Sequence, residues 1–155
     1  TQNIRSLGVK LKLSSTKTIV KNKSIILIDD SLVRGTTCHK IVKMLYESGA
    51  KEVHVRIACP EIKYPDFYGV DMPTKEELLA YNKDITQMCD YIKAKSLKFL
   101  SLDGLYKALT NAKRNASYPQ FSDHYFTGDY PIKPHDKLQG LKIKQLSLLS
   151  GKSNN

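Results

Sequence analysis

The spacing of apolar positions changes several times along the chain, and each change marks an element. Ile25-Ile26-Leu27-Ile28 is a continuous apolar run with no polar alternation. Such a run predicts a short strand, opening at Ser24, covered on both faces in a parallel sheet. Thr36 to Ser48 predicts a helix, because Ile41, Val42, Met44 and Leu45 fall at helical spacing and Gly49 follows as a stop signal. Glu52 to Ala58, rich in β-branched residues, predicts a second strand and completes a βαβ unit. After a proline-bearing loop over residues 59–73, Thr74-Lys75-Glu76-Glu77 matches a capping box that would open a further helix. Ile85, Met88, Cys89 and Ile92 form a helical stripe after Asp84, and Leu97 to Leu100 reads as a third strand. Ser101 can cap a helix running to about Ala112.

At both ends the periodicity fades. Residues 1–24 are polar and basic and read as a loop or irregular hairpin. Residues 115–136 carry aromatics and prolines, as in an extended arm packed on another surface, and the tail to Asn155 has only a weak apolar stripe. The expected organisation is an α/β parallel-sheet portion over 1–114, followed by an irregular C-terminal arm and tail over 115–155.

The 155 residues suit one domain, and 41% apolar content is enough to form a core. No apolar run approaches the ~18 residues that a membrane span needs. Three cysteines, Cys38, Cys59 and Cys89, form no close pair. That argues against a disulfide framework or a Cys-x-x-Cys metal site, and fits a reducing cytoplasm. A net charge of +10 attracts phosphates of any kind, but the basic residues are mostly scattered lysines. The four histidines lack metal-ligand spacing. Cys38 lies near a helix start, which lowers a thiol pKa, yet it also falls where the helix should pack. Cys59 and Cys89 read as core residues.

The chemistry concentrates in Asp29-Asp30-Ser31-Leu32-Val33-Arg34-Gly35-Thr36-Thr37. A strand ends in two adjacent carboxylates, a short loop follows, and Gly-Thr-Thr opens a helix. The carboxyl ends of parallel strands are where open α/β sheets bind ligands. Gly35 allows close backbone approach, and amides at a helix start favour an anion, with Thr36 and Thr37 adding hydroxyl donors. Carboxylates beside such a cradle can accept from vicinal hydroxyls or hold Mg²⁺. A phosphate held a few ångströms from a diol describes a ribose 5-phosphate. The plain alternative is two aspartates capping a turn, which a lone Asp-Asp-Ser would favour.

This segment resembles the phosphoribosyl pyrophosphate (PRPP) motif of type I phosphoribosyltransferases, and its wording is similar to that of the amidophosphoribosyltransferase family. Further stretches share the resemblance: Gly8 to Leu13, Ser48 to Ala58, Tyr64-Pro65-Asp66-Phe67-Tyr68-Gly69-Val70-Asp71, and Phe126-Thr127-Gly128-Asp129-Tyr130-Pro131. It covers roughly residues 4–132. The resemblance implies a type I phosphoribosyltransferase fold, here a partial domain. It also implies synthesis of 5-phosphoribosylamine from PRPP and glutamine-derived ammonia, the first step of de novo purine synthesis. Asp29 and Asp30 would hold the ribose hydroxyls and Mg²⁺. Ser31, Val33, Arg34, Gly35, Thr36 and Thr37 would hold the 5-phosphate. Arg5, Lys10 and Lys12 would lie in a flexible lid that excludes water.

Two departures from the family pattern shape the expectation. The chain begins at Thr1, just before the lid, so it is expected to be the C-terminal part of a longer enzyme. A glutaminase domain or subunit would then supply ammonia, and the complete enzyme would be a homo-oligomer. Some family members carry a 4Fe–4S cluster on four cysteines; three of those positions fall at Asp66, Ser122 and Tyr125, so no iron–sulfur cluster is expected. Neither membrane nor nucleic acid is an expected partner. Two rival readings are a PRPP-sensing, nucleic-acid-binding regulator, which would need a reading element the sequence lacks, and an inactive remnant of the enzyme.

Overall fold

The computed structural model describes residues 17–70, 74–117 and 119–132. A short helix α1 (Lys17–Val20) leads into β1 (Ser24–Asp29), α2 (Thr36–Glu47) and β2 (Glu52–Ile57). A 3₁₀ turn (Lys75–Glu77), α3 (Leu79–Asn82), α4 (Ile85–Ile92), β3 (Ser96–Phe99), α5 (Leu102–Thr110) and α6 (His124–Thr127) follow. The strands form one sheet in the order β1-β2-β3, all parallel, with Ile25 opposite Val53 and Val55 opposite Leu97.

Register explains the layers. Side chains alternate across a strand, so Ile25 and Leu27 share a face with Val53, Val55, Ile57 and Leu97. Helices α2 and α4 cover that face, adding Cys38, Val42, Leu45, Met88 and Ile92 to the core. Among the described residues nothing covers the opposite face. Ile26 and Ile28 are 65% and 73% exposed there, beside Glu52, His54 and Arg56. The expectation of a strand covered on both faces is therefore corrected. A continuous apolar run reports two apolar faces, but only one has a partner among the described residues.

The capping box also falls elsewhere. Thr74 makes no side-chain cap, and residues 75–77 form a single 3₁₀ turn. The capping box lies at Asp84, whose carboxylate accepts from the Gln87 amide at 2.8 Å while Gln87 Oε1 accepts from the Asp84 amide at 3.1 Å. Ser101 does cap α5, accepting from the Gly104 amide at 3.0 Å.

The described part of the C-terminal arm packs on its own chain. Asp123, 3% exposed, accepts from Tyr106 Oη at 2.8 Å and from Arg114 Nε at 2.6 Å. Arg114 Nη2 also reaches Asp129 at 2.6 Å. The amides of Lys63 and Tyr64 donate to the Tyr125 carbonyl, and Tyr130 Oη donates to the Pro65 carbonyl. Residues 138–155 lie outside the described residues.

Candidate functional site

The predicted motif folds as one wall of a cavity. Residues from Asp29 to Cys38 line, without a break, a concavity of about 330 Å³ at the carboxyl end of β1. β1 delivers Asp29 at its last position, and Asp30 stands exposed immediately beyond. Their carboxylates are partly engaged by the loop itself. Asp29 Oδ1 accepts from the Asp30 amide at 3.1 Å, and Asp30 Oδ1 accepts from the Ser31 hydroxyl at 3.1 Å. The turn-capping alternative thus describes what these groups do within the loop. A carboxylate has about four acceptor positions, so most remain for a ligand.

The same lining includes the start of α2. Gly35 takes a left-handed conformation (φ +75°) as the N-cap, and no side chain caps the helix. No acidic residue lies in the first turn. Thr36 and Thr37 are exposed, whereas Leu32 and Cys38 point inward. An uncapped helix start presents amides and a positive dipole end.

Sequence reasoning did not find what holds this loop. Arg34 Nε and Nη2 both contact Glu77 Oε2, at 2.7 and 2.6 Å. The Leu79 amide donates to the Val33 carbonyl at 2.9 Å. Leu79 Cδ2 and Tyr91 Cε1 pack so closely that a Cβ on Gly35 would lie 2.7 and 3.0 Å from them. His39 Nδ1 lies 3.0 Å from the Tyr91 carbonyl oxygen. Glu77 stands 43 residues from Arg34, and no local pattern connects them. Glu77 had a sequence role as the partner in the Thr74 capping box; tertiary structure gives it another.

Burial disfavours the thiolate form at Cys38 and Cys59. Burial, reinforced by the Asp29 charge, pushes the Cys38 thiol up to about 11. Burial and then Asp30 likewise raise Cys59 to about 11. Both therefore remain thiols at neutral pH.

A second group of polar residues lies at the C-terminal fold-back. His124 Nε2 meets Asp66 Oδ1 at 2.8 Å and His124 Nδ1 meets the Ser122 hydroxyl at 3.0 Å, with the Asp66 and His124 side chains essentially buried. Burial raises the Asp66 pKa. The amides of Val70 and Tyr68, the His124 ring and the Tyr125 hydroxyl outweigh that effect and bring it to about 2. Asp66, Ser122 and Tyr125 are the three positions where the resemblance placed cluster cysteines. Their adjacency was thus legible from the resemblance, but the hydrogen-bonded arrangement was not. The lid residues Arg5, Lys10 and Lys12 lie outside the described residues.

No protein-family model matches the chain. An amidophosphoribosyltransferase of Rhizobium etli is 51% identical over 151 residues, which is 97% of this chain and 30% of that protein. One from Staphylococcus aureus (strain Mu50) is 50% identical over 136 residues, 88% of this chain and 27% of the relative. Among solved structures, the glutamine PRPP amidotransferase from B. subtilis complexed with ADP and GMP superimposes with a TM-score of 0.67 at 42% identity, covering 74% of this chain and 25% of that one. A structure described as the allosteric regulatory enzyme of purine biosynthesis gives a TM-score of 0.67 at 43% identity, over 74% of this chain and 24% of the other. The chain thus spans under a third of the length of these relatives. In sequence and in fold it belongs with the amidophosphoribosyltransferases, as a relative that matches part of their length.

Proposed function

We propose that residues 29–37 bind PRPP and that the chain works as part of an amidophosphoribosyltransferase. The observation that carries this reading is the cavity lined continuously by Asp29 to Cys38, which brings two carboxylates and an uncapped helix start into one lining. A sugar phosphate matches both kinds of group at once. The amides of residues 31–37 and the Thr36 and Thr37 hydroxyls take the 5-phosphate. Asp29 and Asp30 accept hydrogen bonds from the vicinal ribose hydroxyls.

The donor set also suits Mg²⁺. Among the described residues no cluster of three or more His, Cys, Asp or Glu could form a protein cage. Two adjacent carboxylates completed by substrate oxygens are what Mg²⁺ commonly takes. Held by Asp29 and Asp30 with PRPP, it would neutralise charge on the departing pyrophosphate. The protein's own contribution is positioning. The nitrogen lone pair of ammonia forms a bond to the anomeric carbon as the bond to pyrophosphate oxygen breaks. The nitrogen then loses a proton to solvent, leaving 5-phosphoribosylamine. In this reading a glutaminase domain or subunit supplies the ammonia, Arg5, Lys10 and Lys12 close over the site, and the complete enzyme is a homo-oligomer.

Titration calorimetry with Mg–PRPP tests the site. The wild-type chain is expected to release binding heat that the Asp29→Asn/Asp30→Asn variant lacks. Equal heats from both proteins would remove the assignment.

A further inference from the structure

Apart from the phosphate loop, the strongest unexplained arrangement is the one behind it. We propose that Glu77 is a positioning residue for the anion cradle, acting through Arg34. This rests on the reading of residues 29–37 as the PRPP site.

The loop does little to hold itself. Gly35 is left-handed and residues 30–35 lie outside any regular element, so backbone bonding within the loop does little to fix its amides. An anion cradle works only if those amides are aimed before the ligand arrives, because ordering them on binding costs affinity. The segment 74–82 supplies the missing restraint at three points. Glu77 holds the Arg34 guanidinium, the Leu79 amide holds the Val33 carbonyl, and the Leu79 side chain seats Gly35. That segment is itself braced, since Asn82 Nδ2 donates to the Glu76 and Leu78 carbonyls at 2.5 and 3.1 Å. Lys75 Nζ sits 4.4 Å from the Tyr81 ring centroid.

The Glu77–Arg34 pair is about half exposed on both sides, at 49% and 55%. Exposed pairs contribute little to global stability. Its contact with a residue of the cradle itself gives it a local role instead: it fixes Arg34, and through Arg34 the backbone of residues 33–35. Glu77 also offsets the Arg34 charge. Were charge its whole role, removing it would leave a more positive loop and tighter anion binding. The positioning role predicts the opposite sign.

The test uses the full 155-residue chain and three proteins: wild type, Glu77→Ala and Glu77→Gln. Calorimetry with Mg–PRPP should show about fivefold weaker binding for Glu77→Ala, about 1 kcal/mol of binding free energy. Glu77→Gln, which keeps an acceptor for Arg34, should recover part of that loss. Thermal midpoints of all three should agree within a degree or two, about what a surface change produces. Amide hydrogen exchange without ligand should rise at residues 33–37 in Glu77→Ala and not in the β2 core. Unchanged or tighter binding by Glu77→Ala overturns the proposal. If wild type fails to bind PRPP, the PRPP reading fails, and exchange at residues 33–37 still decides whether Glu77 orders the loop. Unchanged exchange there overturns the proposal as well.

Discussion

Gly35 is the residue on which the cradle's shape turns. Its φ of +75° is a conformation that costs an L side chain about 1–2 kcal/mol. Space is short as well, with Leu79 Cδ2 2.7 Å and Tyr91 Cε1 3.0 Å from any added Cβ. Gly35→Ala is expected to lower unfolding free energy by about 1–3 kcal/mol in urea titrations, with weaker Mg–PRPP binding. An alanine variant as stable as wild type would mean that the loop relaxes freely. The requirement for glycine here was legible in sequence, because Gly-Thr-Thr after an acidic pair already implied a close backbone approach. Its second reason, the packing of Leu79 and Tyr91, was not legible. Those residues lie 44 and 56 positions further on, and only the docking of α3 and α4 brings them near.

At the scale of elements, β1 shows how a correct element can carry a wrong environment. Its bounds were predicted within a residue, yet Ile26 and Ile28 face outward on an edge strand. An apolar outer face on a strand with no outer neighbour among the described residues invites association. The double variant Ile26→Thr/Ile28→Thr is expected to reduce self-association in sedimentation velocity, with stability changed by less than about 1 kcal/mol. Identical sedimentation of variant and wild type at equal concentration would refute the assignment of that face. Thr74 and Asp84 give the complementary case. Both begin a capping-box pattern, Thr74 with Glu77 and Asp84 with Gln87, but only Asp84 opens a helix with an apolar stripe long enough to reach the core through Met88 and Ile92. Capping residues select a helix start where burial already supports the helix; they do not create one.

Across the whole molecule, the joint between the loop over residues 60–70 and the segment 119–132 depends on the ionised form of Asp66. Its pKa falls from the ordinary 3.8 to about 2, because hydrogen-bond donors outweigh the opposing effect of burial. A carboxylate depressed by folding stabilises the fold above its unfolded pKa. That contribution is lost as pH falls from about 4 toward about 2. Asp123 shares this direction: burial raises it, and the Arg114, Tyr106 and Thr127 donors prevail and lower it. Thermal midpoints measured from pH 6 to pH 2 should therefore fall steeply at the acid end. Asp66→Asn should lower the midpoint at pH 6 and flatten part of that acid slope, with Asp123 supplying the remainder. An unchanged slope in Asp66→Asn would show that Asp66 titrates alike in folded and unfolded chains.

The sequence by itself determined the parallel βαβ unit, its helix starts at Thr36 and Leu102, and the position of the acidic pair and glycine turn at the end of β1. These depend on interactions within a few residues: apolar period, turn chemistry and caps. Tertiary structure alone decided which face of the sheet is covered among the described residues, that Glu77 and Leu79 contact the loop at Arg34 and Val33, and that Asp66 and His124 join the loop over residues 60–70 to the C-terminal segment. Each of those depends on contacts between residues dozens of positions apart. No local period encodes such partners, because they meet only when packing of the covered sheet face brings their elements together.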